Sequence, residues 1–185
     1  MAMRTVYSGE LHVHYGQFYV ESRPDGMGEG DADPLAGQRN GLCGAAVPGY
    51  LFLTTGLHTG RVYLTVEVHG VEPPQADEWE EVVEVSFRPA AAEVEVRPWG
   101  DAPLCVFELP EADYRVRYCG RDLDRAQDEE ISVLEGGEPI DHYLLQFWPA
   151  PPDADRVIRQ TSRSAEYWHQ RARSLPPPPA SREAR

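Results

Sequence analysis

The chain has 185 residues and a formal net charge of −14. Its length suits one well-buried core, and its 41% hydrophobic content excludes a disordered class. The acidic balance argues against a nucleic-acid-binding body, and no apolar run approaches the ~20 residues of a membrane-spanning helix.

The charge is unevenly spread. All 17 basic residues are arginine. Seven arginines and two glutamates lie from Arg156 onward, a local balance of +5, so the first 155 residues carry −19. Such a body attracts basic protein surfaces and repels phosphate. The N-terminus lacks the apolar stretch of a signal peptide, and Cys43, Cys105 and Cys119 have no metal-ligand spacing. The expected setting is reducing and cytoplasmic.

Thr5 to Tyr15 opens the fold as a strand. Leu11, Val13 and Tyr15 share one face; Glu10, His12 and His14 share the other. Phe18 and Val20 continue it past a bend at Gly16-Gln17. Arg23 to Gly49 has little periodicity and is punctuated by Pro24-Asp25-Gly26 and Asn40-Gly41, which predicts a long surface loop suited to binding. Tyr50 to Thr54 is a short apolar strand, turned by Gly56 to Gly60.

Arg61 to Arg97 organises the rest. RVYLTVEV, EVVEVSFRP and AEVEVRP alternate apolar with polar residues, the pattern of strands with one buried and one wet face. Val62, Leu64, Val66 and Val68 oppose Tyr63, Thr65, Glu67 and His69. Val83, Val85 and Phe87 oppose Val82, Glu84, Ser86 and Arg88. Pro73-Pro74 interrupts the connection between the first two, with room for one helical turn near Ala76 to Glu81.

Leu104 to Leu109 and Tyr114 to Cys119 are further strands. Gly120 to Glu138 is polar and reads as a mobile hairpin excursion. His142 to Trp148 is apolar on both faces, which predicts cover on both, with the C-terminal segment as the second layer. Asp155 to Arg173 is predicted as the one long helix, or a shorter one capped by Thr161 or Ser162 with Glu166 in its first turn. Four prolines at 176 to 179 begin an extended tail. The division is a sandwich domain over 1–155, a helical segment packed on it over 156–174, and a disordered tail over 175–185. The fold class is all-β: an antiparallel β-sandwich of about eight to ten strands with a C-terminal helix, a closed barrel being the alternative.

Two constellations bear on chemistry. His12 and His14 stand on one strand face at HxH spacing, as in metal-binding cupins. The Glu that such a site needs four or five residues later is missing; those positions are Phe18 and Tyr19. A metal-dependent cupin-like enzyme is therefore the lesser reading, and two half-exposed histidines the preferred one. There is no GxSxG elbow and no phosphate loop, so no catalytic residue and no cofactor are assigned. The second constellation is acidic. Glu67, Glu72, Glu80, Glu81, Glu84, Glu93 and Glu95 fall on neighbouring strands and their joining loop, with Trp79, Trp99 and Tyr63 as candidate aromatic anchors. If these carboxylates project together into solvent, they form a docking face for a basic protein. A structural or regulatory oligomeric subunit is the third reading.

LHVHYGQFYV, the Gly/Asp-rich loop ending before Gly44, GRVYLTVEV with EEVVEVSF, VEVRPWG, LPEADYRVRY and DHYLLQFWP together resemble the competence protein J family of nuclease inhibitors, over about residues 11–148. Ala112 stands where that family has Gly in its Leu-Pro turn, and the segment after Pro149 has no counterpart. The resemblance implies a β-sandwich that binds a protein partner such as a nuclease, without enzyme chemistry.

Overall fold

The computed structural model describes residues 3–178; the end of the predicted tail, 179–185, lies outside the described residues. In chain order the strands are β1 (Arg4–Val13), β2 (Gln17–Glu21), β3 (Cys43–Gly44), β4 (Tyr50–Thr54), β5 (Gly60–Val68), β6 (Glu81–Phe87), β7 (Glu93–Pro98), β8 (Cys105–Glu108), β9 (Tyr114–Arg121), β10 (His142–Pro149) and β11 (Arg156–Arg159). The helices are α1 (Leu123–Asp128), α2 (Glu130–Leu134) and α3 (Arg163–Ser174).

Two sheets stack as a sandwich. One runs β1-β5-β10-β9-β6-β11, the other β3-β4-β2-β7-β8. Each keeps two free edges, so neither closes into a barrel. The five-stranded sheet is antiparallel throughout. The six-stranded sheet is mixed: β10 is antiparallel to β9 but parallel to β5. The purely antiparallel expectation is corrected on that point. Hairpins impose antiparallel pairing only on strands that follow each other in the chain, and no hairpin joins β5 to β10.

The core lies between the sheets, built from the inward parity of each strand. Val62, Leu64 and Val66 of β5, Tyr143, Leu145 and Phe147 of β10, and Val83 and Val85 of β6 face Phe18 and Val20 of β2, Leu51 and Leu53 of β4, and Val94 and Val96 of β7. Aromatic rings bridge the layers. Phe18 meets Tyr118 edge-on at 6.0 Å, and Phe107 meets Phe147 at 5.7 Å.

The first predicted strand splits between the two sheets. Tyr15 and Gly16 take positive φ values of 59° and 62°, and His14 bridges Gln17 across them. Two left-handed residues in succession make the tight turn that matches strand twist. β1 then joins one sheet and β2 the other. Tyr15 does not share the buried face of Leu11 and Val13; it is 57% exposed.

The 23–49 loop is half structured. Leu35, Leu42, Cys43 and Val47 are buried, and β3 pairs with β4. The Gly120–Glu138 excursion holds α1 and α2, tied down by Leu123, Ala126 and Val133 in the core. Near Ala76 to Glu81 the chain makes a turn at Asp77 and Glu78 without forming a helix. The single helix predicted over 155–173 is an edge strand followed by a helix. Val157 and Ile158 belong to β11, which pairs with β6, and Ser162 caps α3 by accepting from the Ala165 amide at 3.1 Å. A β-branched pair fits an open sheet edge better than a helix start.

His169 fixes α3 to the body. Its Nδ1 accepts from the Gly41 amide at 2.9 Å, and a Cβ at Gly41 would stand 1.9 Å from the Trp168 carbonyl oxygen. The imidazole is fully buried, and burial, helped by Arg173, pushes its pKa down to about 4. The ring is neutral in the fold and protonates more readily once unfolded. Its contribution is therefore complete above about pH 6.5 and drains away as pH falls towards 4, on the order of 3 kcal/mol in all. Denaturant titrations across that window should show a shallower acid loss for His169→Asn, whose amide oxygen can replace Nδ1, than for the parent.

Candidate functional site

The sequence offered one acidic face; the structure sorts its members into different surroundings. Glu84 on β6 is 3% exposed. It accepts from Arg117 Nε at 3.0 Å and lies 3.5 Å from Arg115. Glu81 is fully buried at the start of β6 and accepts from the Thr161 and Ser162 amides at 2.9 and 2.6 Å. It anchors the entry to α3, and burial raises its pKa against those bonds. Glu67 is partly buried, held by His69 at 2.8 Å and Gln146 at 2.9 Å. Glu72 and Glu80 are exposed, but Glu72 pairs with Arg117 at 3.1 Å and Glu80 accepts from the Asp122 amide at 2.8 Å. Trp79 lies half-buried beneath the Arg121 guanidinium. Glu93 and Glu95 sit on β7, in the other sheet. The single contiguous patch is corrected: these carboxylates are partly neutralised and divided between two sheets.

The cause is Arg117. It points outward from β9 yet is 1% exposed, because the 72–79 segment folds over it. Its Nη1 donates to the Pro73 carbonyl at 2.8 Å, and its guanidinium lies 5.1 Å from the Trp148 ring centroid. Arg159 closes the far side, donating to the Trp79 carbonyl at 2.6 Å. So the second layer over β10 is the proline segment, where the sequence suggested the C-terminal segment.

The outer face of the five-stranded sheet is covered less: Glu93 and Glu108 are exposed, while Glu21 and Glu95 are half-buried beside the 23–26 loop. Core parity turns Glu21 of β2, Glu93 and Glu95 of β7, and Glu108 of β8 outward. Glu21 stands directly opposite Glu95, and Glu93 directly opposite Glu108. Like charges in facing positions repel. Arg97 relieves one row, pairing with Glu95 and lying 3.5 Å from Glu21. Burial pushes the Glu21 carboxyl above its ordinary range; Arg97 opposes the rise and Glu95 adds to it. A cleft of about 470 Å³ opens here beside Arg23 and Pro24. At the α3 end of the same face the rings of Tyr19, Tyr50 and Phe52 take over from the acids. Glu21 and Glu108 join the acidic face only in the structure, although QFYVE and CVFE carry the same alternation as the strands that predict it.

His12 and His14 sit at the β1 end with ring centroids 4.7 Å apart. Trp99 lies beside His14 and Tyr15, 45% exposed. Among the described residues no three His, Cys, Asp or Glu side chains are grouped to hold a metal, so the cupin-like reading finds no third ligand there.

No protein-family model matches the sequence, and no curated protein matches it. Among solved structures, the fold is similar to ComJ of Bacillus subtilis, an inhibitor of the DNA degrading activity of NucA. The match has a TM-score of 0.57 at 16% identity, over 81% of this chain and 100% of that one. It is also similar to the protein described as crocagin biosynthetic gene J, at a TM-score of 0.52 and 12% identity over 82% and 100%. The family resemblance read from the strands and turns is thus met at the level of fold.

The two classes of glutamate should differ sharply on mutation. Glu84→Ala leaves a buried guanidinium short of its partner and should cost about 3–5 kcal/mol in urea unfolding. Glu93→Ala, on the open face, should stay within about 0.5 kcal/mol of the parent.

Proposed function

We propose that this protein is a non-enzymatic acidic module that binds a basic protein through the outer face of its five-stranded sheet. The observation that carries the reading is the pair of facing carboxylate rows, Glu21 with Glu95 and Glu93 with Glu108. Arg97 relieves the first row, but Glu93 and Glu108 are exposed and make no ion pair among the described residues, so the fold gains nothing internally from setting them opposite each other. A basic partner relieves that repulsion on docking, and the body's negative field speeds the encounter.

A DNA nuclease is the partner class to test first. Proteins that grip DNA present basic surfaces to its phosphates, and the fold is shared with ComJ, an inhibitor of DNA degrading activity. Under this reading the protein blocks the nuclease by occupying its DNA-binding surface, and no chemistry is required of its own side chains.

The test is binding of basic DNA nucleases to the immobilised full-length protein at low and high salt, with DNA cleavage followed in parallel. The expected result is binding that weakens with salt and inhibits cleavage. Glu93→Gln with Glu108→Gln, at the two exposed positions without an ion pair, should slow association roughly tenfold at low salt without lowering the thermal midpoint. Basic proteins that ignore this protein at low salt, or that bind the double variant as fast as the parent, would overturn the reading.

A further inference from the structure

The aromatic end of the same face has a shape and charge of its own. A second cleft of about 470 Å³ opens between Tyr19, Tyr50 and Phe52 of the sheet, Asp33 of the loop, and Tyr167 and Trp168 of α3. That is within the size range of small-ligand sites. Tyr19 and Tyr50 stack at 5.6 Å with a 29° interplanar angle, and Phe52 continues the row at 6.0 Å from Tyr19. The Tyr19 hydroxyl accepts from Gln17 Nε2 at 2.6 Å, and burial pushes its pKa up to about 12, so the phenol stays neutral. Asp33 uses Oδ1 to accept from the Leu35 amide at 2.9 Å. Its Oδ2 faces Arg171 at 3.8 Å, too far for a hydrogen bond.

We propose that this cleft receives an arginine side chain of the basic partner, stacked on the half-exposed Tyr19 and Phe52 rings and paired with Asp33 Oδ2. The proposal rests on the acidic-face reading and names the anchor within it. Charge complementarity selects a cation. Aromatic faces are negative, Glu21 is the register neighbour of Tyr50, and the first 155 residues carry −19. Planarity selects arginine over lysine, because a guanidinium stacks on a ring and pairs with a carboxylate in one pose. Arg171 is the competitor. It is half-exposed and loosely held, so an incoming guanidinium displaces it from Asp33 and then has it as a like-charged neighbour.

That competition gives the test its direction. The full-length protein is titrated with the capped tripeptide Gly-Arg-Gly and with its citrulline analogue, which is neutral and nearly isosteric. The Trp168 indole resonance in proton–nitrogen correlation spectra is the readout. The expected result is a saturable shift with the arginine peptide and at least fivefold weaker binding of the citrulline peptide. Asp33→Asn should weaken the arginine peptide at least fivefold, and Arg171→Ala should tighten it. Equal response to both peptides, no saturable shift, or weaker binding by Arg171→Ala would each overturn the proposal; the last is what an anion-binding cleft would give. The peptide titration involves no partner protein, so its failure removes the anchor alone. Failure of the salt-dependent nuclease binding removes the acidic-face reading.

Discussion

A guanidinium buried at 1% exposure must find partners for its donors, and Arg117 finds them in three directions at once. Glu84 meets it from the neighbouring strand, Glu72 from the covering segment, and the Pro73 carbonyl from the turn between. The proline segment is thereby pinned over the six-stranded sheet. Arg159 then uses the same segment's carbonyls to hold the edge strand β11 beside β6. One ion pair thus organises a sheet face, a loop and the approach to the C-terminal helix.

The consequence for function is a division of labour between the two outer faces. On the six-stranded sheet, carboxylates are consumed by arginines, amides and a histidine. On the five-stranded sheet, four carboxylates stand in facing rows; Arg97 lies against Glu21 and Glu95, and Glu93 and Glu108 meet solvent. A net charge of −14 therefore describes two different electrostatic situations. The first supplies structure, because a desolvated charge is tolerated only when paired. The second remains available, because solvent-exposed carboxylates keep their hydration until something basic replaces it.

The aromatic residues follow the same logic. Tyr118 and Tyr143 stack inside the core, where each hydroxyl is spent on a buried partner: the Thr54 carbonyl for Tyr118, Asp141 for Tyr143. Tyr19, Tyr50 and Phe52 lie on the opposite parity of β2 and β4 and form the floor of an open cleft. Each set is placed by the alternation of its own strands, inward on β9 and β10 and outward on β2 and β4, and the packing of α3 and the 27–35 loop turns the outer one into a concave site.

Much of the molecule was legible in its residues. Period-two alternation placed the strands from Arg61 to Arg97, because a half-buried strand can satisfy its two environments in no other way. The Ser162 cap was legible from local chemistry, and the sign of the overall charge from composition. What alternation cannot report is what lies over the outward face. Glu84 and Glu93 occupy the same kind of position in the same kind of strand; one is sealed against Arg117 and the other meets solvent. Nor does alternation say which sheet a strand joins: the sequence predicts a bend at Gly16-Gln17, where a turn at Tyr15-Gly16 is the crossing between layers. Sequence determined most of the strands, most of their inward residues and the overall charge, since these depend on neighbours along the chain. Tertiary structure alone decided which charges survive at the surface, since that depends on partners 33 to 45 residues away, the separations between Arg117 and its two carboxylates.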